Sequence, residues 1–456
     1  MTHILCKNIK YYHDNIHGYI NLTVFAKHII DTKYFQRLDK LHQLGVAHYI
    51  YRDAVHTRFA HSVGTYHNAG ELLNTIVNTT NPPSIDEYLA NIPELKNYYA
   101  RTYENKIHPL DEYVCELVKI AGLTHDIGHG CFSHAFDDHF IPDIGKADHP
   151  YATHEARSAK IIELVIRSNE MLNCVSDDEI KFIQTLINPS KHHIGFLYQI
   201  ISNTLNGLDV DKFDYLTRDV QMIGYQAKID CNRVIRHIKV INNNIIYPEQ
   251  ATDDIINIFY TRYRLHSNVY CHKTVIAVEF MIVELMKLIE PILHISDKID
   301  DMESFCDLTD DYIIESVKFI DLIRDKLSQE QLHNLEQAKI LLDKIMTRKL
   351  YTTIYINTFK DKVELDLLDK DNFLIFQRKI GFVSGNKPNP LDSIYVYKTK
   401  KPDEIFGKLN VSKKSIIDLS TLMPNGYQEY LLMIYYKEKV DFEMIKEMSE
   451  YIKSYC

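Results

Sequence analysis

Apolar residues recur at three- and four-residue spacings through most of residues 20–345, which predicts a succession of amphipathic helices. The segment LTVFAKHIIDTKYFQRLDKLHQLG keeps this spacing until Gly45 and predicts one helix that stops there. FAHSVGTYHNAGELLNTIV predicts a second helix, and DEYVCELVKIAGLTHDIGHG a third that runs into a polar cluster. THEARSAKIIELVIRSN predicts a fourth, with Thr153 as its N-cap. A long helix is expected from about Asp253 to Glu290, ending where Pro291 intervenes. Residues 81–109 carry Pro82, Pro83, Pro109 and several Tyr, and read as an insertion between two helices. RVIRHIKVINNNIIYPEQ holds two short β-branched runs around Asn242–Asn244, a hairpin pattern.

From about Leu350 the period shortens to two. YTTIYINTF, NFLIFQRKIGFV, DSIYVYKT and YLLMIYYK alternate like strands, and VDFEMIKEMSEYIKSY closes the chain as an amphipathic helix. The pattern therefore predicts a mostly α fold. A helical domain over residues 1–349, carrying a short β-hairpin, precedes a small C-terminal α/β lobe over 350–456.

Composition narrows the function classes. With 45% apolar and 25% charged residues in 456, the chain has core material for an ordinary globular protein. A net charge of −10 and the lack of a basic run argue against general nucleic-acid affinity. MTHILCKNIKYYHDN has no apolar run long enough for a secretory signal. Val275–Ile289 is too interrupted by Glu279, Glu284 and Lys287 to span a membrane. The eight cysteines are scattered without a C-x-x-C pair, as expected of reduced thiols in the cytoplasm or nucleus. Glycine loops of the dinucleotide- and nucleotide-binding types are absent.

The chemistry concentrates in THDIGHGCFSHAFD, which packs His125, Asp126, His129, His134 and Asp137 into one short stretch. It ends an apolar helix, so its side chains would lie at the lip of a core, with His129 on the face of His125 if the turn continues. Upstream, RFAHS places His61 one turn after Arg58. Downstream, NGLDVDKFDYLTRD places Asp209, Asp211, Asp214 and Asp219 on or near another helix. Imidazoles and carboxylates from three helices would suit a divalent metal. Such a metal would acidify water and polarise a phosphoryl oxygen. His129, His134 and His154 would remain as acid–base groups, and Arg58, Lys212, Arg218 and Arg262 as partners for phosphate. The alternative is a set of buried helix-end histidines satisfied by carboxylates. Spacing alone does not choose between them.

The ordered series IIDTKYFQRL, QLG, TRFAHSVG, HDIGHGCFSHAFD, THE, NGLDVDKFDYLTRD and HSNVYCHK resembles the HD-domain metal-dependent phosphohydrolases. Within them it is most similar to the SAM- and HD-domain-containing deoxynucleoside triphosphate triphosphohydrolases, from about residue 16 to 290 and more weakly beyond. The resemblance implies metal ligands His61, His125, Asp126 and Asp211, holding Fe, Mn, Mg or Zn, with a second ion as an option. It implies release of a deoxynucleoside and intact triphosphate from a dNTP. His134 would serve the leaving 5′-oxygen, supported by Asp137 and His154, and His129 would contact phosphate. Arg58, Lys212, Tyr215 and Arg262 would clamp the triphosphate. Gln43 and Asp219 would read the 3′-hydroxyl, and Leu44 and Tyr270 would wall out a 2′-hydroxyl. For Leu44 and Tyr270, simple packing is the alternative. The resemblance also implies a homo-oligomer, dimer or tetramer.

The departures concern regulation and base choice. Cys271 stands where mammalian members carry a base-contacting Gln. At the expected GTP pocket Asp31 and Gln36 match, but Asp39 replaces an Arg, a charge reversal beside a triphosphate. Arg233 matches a second effector position, while basic positions fall on Pro248, Gln250, Asp403 and Glu404. Lys10 and Lys273 are retained. The expectation is a dNTP triphosphohydrolase without GTP and dATP activation. The competing readings are an HD phosphohydrolase acting on monophosphates or cyclic nucleotides, and a catalytically silent nucleotide-binding regulator.

Overall fold

After a single helical turn (Thr2–Leu5) comes a hairpin that the helical pattern does not predict: β1 (Asn8–Asp14) pairs antiparallel with β2 (Gly18–Thr23). The structure is a computed structural model that describes residues 2–227, 229–365, 372–398, 410–415, 426–438 and 442–453. The single helix expected up to Gly45 is broken into α1 (Val24–Ile30), a turn of helix at Lys33–Gln36 and a tighter turn at Arg37–Lys40. Thr32 causes the first break. Thr23 caps the start of α1 by accepting the N–H of Ala26, and the Thr32 hydroxyl accepts the N–H of Phe35 and starts a new helix in a row of continuous apolar spacing.

Four helices then build the scaffold around the motif. They are α2 (Arg58–Thr79), α3 (Glu112–Thr124), α4 (His154–Ser168) and α5 (Asp177–Ile187). Asp111 caps α3, and Thr153 caps α4 as expected. Residues 81–109 form two short helices, Pro82–Leu89 and Lys96–Tyr103. Next comes α6 (Val210–Met222), capped by Asp209. Helix α2 packs against both α3 and α6, which brings the polar residues of the three helices together.

The predicted hairpin is β3 (Lys239–Ile241) and β4 (Asn244–Pro248), joined through Asn242 and Asn243 at positive φ. The expected long helix is two: α7 (Thr252–Leu265) and α8 (Lys273–Leu293), separated by a wide π-type turn at His266–Tyr270. The side chain of His272 accepts the N–H of Thr274 and restarts the helix. Pro291 lies inside the last turn of α8, and His294, at a φ of 48°, ends it. Helix α9 (Gln329–Met346) packs on α8.

Beyond it lie β5 (Thr352–Phe359), β6 (Phe373–Gly381), β7 (Tyr395–Lys398), β8 (Asn410–Ser415) and β9 (Gln428–Tyr436), then α10 (Phe442–Lys453). β8 is absent from the sequence pattern; the other elements match it. β9 lies antiparallel between β5 and β6, while β4 pairs in parallel with β7 through Tyr247 and Pro248. A continuous apolar core runs from the helices into β6 and β7 by way of Phe376, Ile380 and Val396. β6 is thereby pressed against the His266–Tyr270 turn. Among the described residues, no helix is long and apolar enough to cross a membrane.

Candidate active site

Helix α6 puts Asp211 and Asp214 one turn apart, and the two carboxylates bracket one imidazole of α2. Asp214 Oδ2 lies 2.8 Å from His61 Nδ1, and Asp211 Oδ1 lies 3.1 Å from His61 Nε2. Gly64, one turn after His61, admits this approach, because a Cβ there would collide with the Asp214 carboxylate and the Arg218 guanidinium. Arg218 in turn binds Asp214 and Asp14, and His17 completes the support with Nε2 at 2.8 Å from Asp214.

Helix α3 ends at Thr124, so the turn that would have continued it to His129 does not form. His125 closes the helix, with Nδ1 at 2.8 Å from the carbonyl of Gly122. A tight turn follows, locked from α4: Ser158 Oγ accepts the N–H of Gly128 at 2.9 Å, and Arg157 donates to the carbonyl of Gly128. Gly128 has no room for a Cβ against the backbone of His154 and Ser158. The turn brings Asp126 beneath both histidines, 3.4 Å from His125 Nε2 and 3.6 Å from His61 Nε2. Asp211 Oδ1 is 3.5 Å from His125 Nε2.

Four donors thus converge. His61, His125 and Asp126 form one group able to hold a metal ion, and Asp211 faces the same point. Nε2 of His61 and Nε2 of His125 are both buried without a hydrogen-bond partner, while their Nδ1 atoms have acceptor partners. With a divalent cation between them and the carboxylates, each imidazole can turn its Nε2 lone pair to the ion, since Nδ1 already has its acceptor. Without an ion, burial opposes charge on His61, yet Asp211 and Asp214 push it up to about 10. Asp126 resists burial and stays well below the usual carboxylate range through His125, His129 and Arg58. A second potential group comprises Asp126, His129 and His154.

Beside the donors opens a cavity of about 280 Å³, lined by Gln43, Leu44, Arg58, Asp126, His129, His134, His154, Asp211, Tyr215, Asp219, Arg262 and Tyr270. Of the four donors, Asp126 and Asp211 face this cavity while His61 and His125 lie behind them, and Asp137 stands behind His154. Asp137 takes the backbone N–H of His154 at 3.0 Å, faces its Nδ1 at 2.9 Å and is also bound by Arg157. Burial raises the Asp137 carboxyl, but Arg157 and His154 outweigh it and hold it low. The rings of His129 and His154 stack at 3.8 Å. Phe132 and Ser133, both at positive φ, turn His134 into the cavity, and Asp310 anchors this strained pair by accepting the N–H of Phe132 at 2.6 Å. Desolvation by the surrounding wall, with His154, Arg58 and Arg378 nearby, lowers the His134 imidazole against the pull of Asp138, although the side chain stays open to the cavity.

The sugar-reading candidates form one linked wall. Tyr270 donates to Asp219 at 2.6 Å, and His56 Nε2 lies 2.8 Å from the other oxygen. The buried Gln43 Oε1 has no protein partner. The cationic candidates are split. Arg58 binds Asp126 and Ser133, and Arg262 binds the Gly381 carbonyl and Ser384 Oγ. Lys212 lines an adjoining cavity of about 270 Å³ that shares Arg262 and Ser384 with the first. Sequence reasoning missed His266, Glu279, Arg378 and Ser384 on the cavity wall, and Arg37, which holds the carbonyl of His129 at 2.6 Å. Cys271 is fully buried in the core rather than on that wall.

A helical domain that gathers H…HD…D donors under a cation-lined cavity is that of an HD-type metal-dependent phosphohydrolase. Over 447 residues the chain is 36% identical to the HD domain-containing protein L394 of Acanthamoeba polyphaga mimivirus, covering 93% of this chain and 91% of that protein. It is 31% identical to the deoxynucleoside triphosphate triphosphohydrolase SAMHD1 homolog of Dictyostelium discoideum, over 96% of this chain and 80% of that one. With human SAMHD1 it shares 29% identity, over 100% of this chain and 75% of the human protein. No family model matches the chain. The chain belongs to the SAMHD1 family of HD-domain proteins.

Proposed function

We propose that this chain hydrolyses deoxynucleoside triphosphates to deoxynucleoside and intact triphosphate, with a divalent cation held by His61, His125, Asp126 and Asp211. The observation that carries the reading is the meeting of two Nε2 atoms without a hydrogen-bond partner with two carboxylates that line one cavity. The Dictyostelium and human relatives, named for this activity, support it. The mixed nitrogen and oxygen donors suit Fe, Mn, Zn or Mg, and Asp126, His129 and His154 offer a place for a second ion.

A bound cation supplies Lewis acidity to a phosphoryl oxygen and acidifies water. The protein does the rest. Arg58, Lys212, Tyr215 and Arg262 neutralise and orient the triphosphate, with Arg58 exchanging Asp126 for phosphate oxygens. Water oxygen joins the α-phosphorus as the bond to the 5′-oxygen breaks. His134 gives that oxygen a proton and is recharged by the one the water loses. Asp137 orients His154, which stacks on His129 and keeps the histidine row in place. Tyr270, tied to Asp219, and Leu44 exclude a 2′-hydroxyl, while the Gln43 amide and Asp219 meet the 3′-hydroxyl.

We also infer that GTP is not an activator. Asp31 is held by Lys10 and Lys27, Asp39 accepts from Thr57, and Arg233 is paired with Asp254. Pro248 is committed to its strand pair with Tyr397. Asp403 and Glu404 lie outside the described residues. A homo-oligomer, dimer or tetramer, is the assembly this reading favours, and sedimentation velocity measures it. The activity test is incubation with each dNTP and its ribonucleotide, with Mn²⁺ or Fe²⁺, with and without GTP, followed by anion-exchange chromatography. Deoxynucleoside plus triphosphate without GTP is the expected product set. Monophosphate products, or turnover only with GTP, would contradict the respective parts, and metal binding without turnover would leave a nucleotide-binding regulator.

A further inference from the structure

We propose that Glu279 and Arg378 read the nucleobase and make dGTP the preferred substrate, an inference that rests on the hydrolase reading above. The motif stretch SHAFDDHF contains two residues that catalysis does not use, Asp138 and His139. Each fixes one of the pair. Asp138 Oδ2 accepts from Arg378 at 2.9 Å, and His139 Nε2 lies 3.2 Å from Glu279 Oε1. Arg378 arrives from β6 and Glu279 from α8, and both line the cavity. Neither is given over wholly to its anchor, since Arg378 and Glu279 side chains keep 32% and 16% exposure.

Their place in the cavity follows from what surrounds them. Arg58, Arg262 and Lys212 mark the phosphate side, and His134 marks the 5′-oxygen. Arg378 binds Asp138, four residues beyond His134, and shares the cavity wall with His134, which on this reading puts it next to the nucleoside. Gln43, Leu44, Asp219 and Tyr270 account for the sugar. Of the wall residues that remain, Glu279 and Arg378 are the carboxylate and the guanidinium, set beside Val275 and His266. Cys271, at the position expected to contact it, is buried away from the cavity.

The chemistry selects one base. A carboxylate only accepts hydrogen bonds and a guanidinium only donates them. Guanine carries two adjacent donors, N1–H and the N2 amino group, beside two acceptors, O6 and N7. Adenine and cytosine each put a ring-nitrogen acceptor next to their amino group, and thymine flanks its one N–H with carbonyls. Each would set an acceptor against Glu279. Against its burial, Glu279 is held ionised by His139 and Arg378, which keeps it an acceptor.

The test uses the intact protein with Mn²⁺ and compares kcat/KM for the four dNTPs, for dITP, which lacks the N2 amino group, and for 7-deaza-dGTP, which lacks N7. The expected order places dGTP about tenfold or more above the other three and above dITP, with 7-deaza-dGTP also reduced, mainly in KM. In Glu279→Gln the dGTP/dATP ratio, read within the one protein, falls about tenfold. Equal kcat/KM for dGTP, dITP and the other dNTPs would overturn the base-reading role and leave the hydrolase reading intact. No hydrolysis of any dNTP would overturn both. The wild-type analogue series decides the matter even if the variant does not fold.

Discussion

His61 gives its Nδ1 hydrogen to Asp214 across 2.8 Å, and this bond decides which nitrogen faces the metal position. Burial works against the Asp214 charge, but Arg218, His17 and His61 hold its carboxyl well below the usual range, so it can only accept. When a cation binds, Nε2 is therefore the nitrogen that gives up its proton and faces the ion beside Asp211 and Asp126. An amide at 214 can offer an N–H instead and reverse the tautomer. Asp214→Asn is therefore expected to weaken Mn²⁺ binding about ten- to a hundredfold by calorimetry, with turnover returning at saturating Mn²⁺. Unaltered affinity would mean that Asp214 serves Arg218 and His17 alone.

Gly64 is the steric counterpart of that bond. An added methyl group would meet the Asp214 carboxylate and the Arg218 guanidinium, neither of which can retreat from a buried network. Gly64→Ala is expected to destabilise the protein by about 1–3 kcal/mol in urea titrations, despite the better helix propensity of alanine. Mn²⁺ affinity should fall in the same variant. A gain in stability would show that α2 and α6 are not in contact at this point.

What the sequence disclosed and what it hid differ in kind. His61, His125, Asp126 and Asp211 were legible because metal chemistry admits few residue types, and their order along the chain is distinctive. Glu279 and Arg378 were not. One interrupts an apolar helix and the other sits in an unremarkable strand; only packing of β6 against the His266–Tyr270 turn joins them. His129 was placed near His125 for the wrong reason. The helix stops at Thr124, yet His129 Nε2 reaches Asp126 at 3.3 Å because Ser158 and Arg157 fold the turn back. The first hairpin was invisible to an alternation test because β1 is exposed along most of its length. The break at Thr32 was hidden by unbroken apolar spacing, over which a local cap prevailed.

His134 is expected to act in the chemical step and little in binding. His134→Gln keeps the size and polarity of the side chain but cannot deliver a proton near neutral pH. Its kcat should fall about 10²- to 10⁴-fold, with KM for a dNTP changed only a few-fold. A rise in KM with kcat preserved would instead make His134 a phosphate ligand, and the leaving-group role would pass to His129 or His154.

The acid side of the stability profile should carry the mark of His67. It lies on α2, with its ring 4.8 Å from that of His17. Burial first, and His17 second, push its imidazole from 6.5 down to about 4. The folded state thus binds this proton less readily than the unfolded chain. Between the two values the unfolded state holds more protons, so stability rises with pH; the contribution is present above 6.5 and is lost as pH falls toward 4. At about 1.4 kcal/mol per unit, the loss across the window is on the order of 3 kcal/mol. Histidines with raised values, such as His154, change in the opposite sense, so the total profile does not isolate His67. The comparison that does is wild type against His67→Gln, with urea midpoints taken at half-unit steps from pH 4.5 to 7. The wild type should lose stability more steeply on acidification than the variant. Parallel profiles would mean that His67 takes up its proton in the folded protein as easily as in the unfolded one, and that the seam between α2 and the first hairpin is open to water.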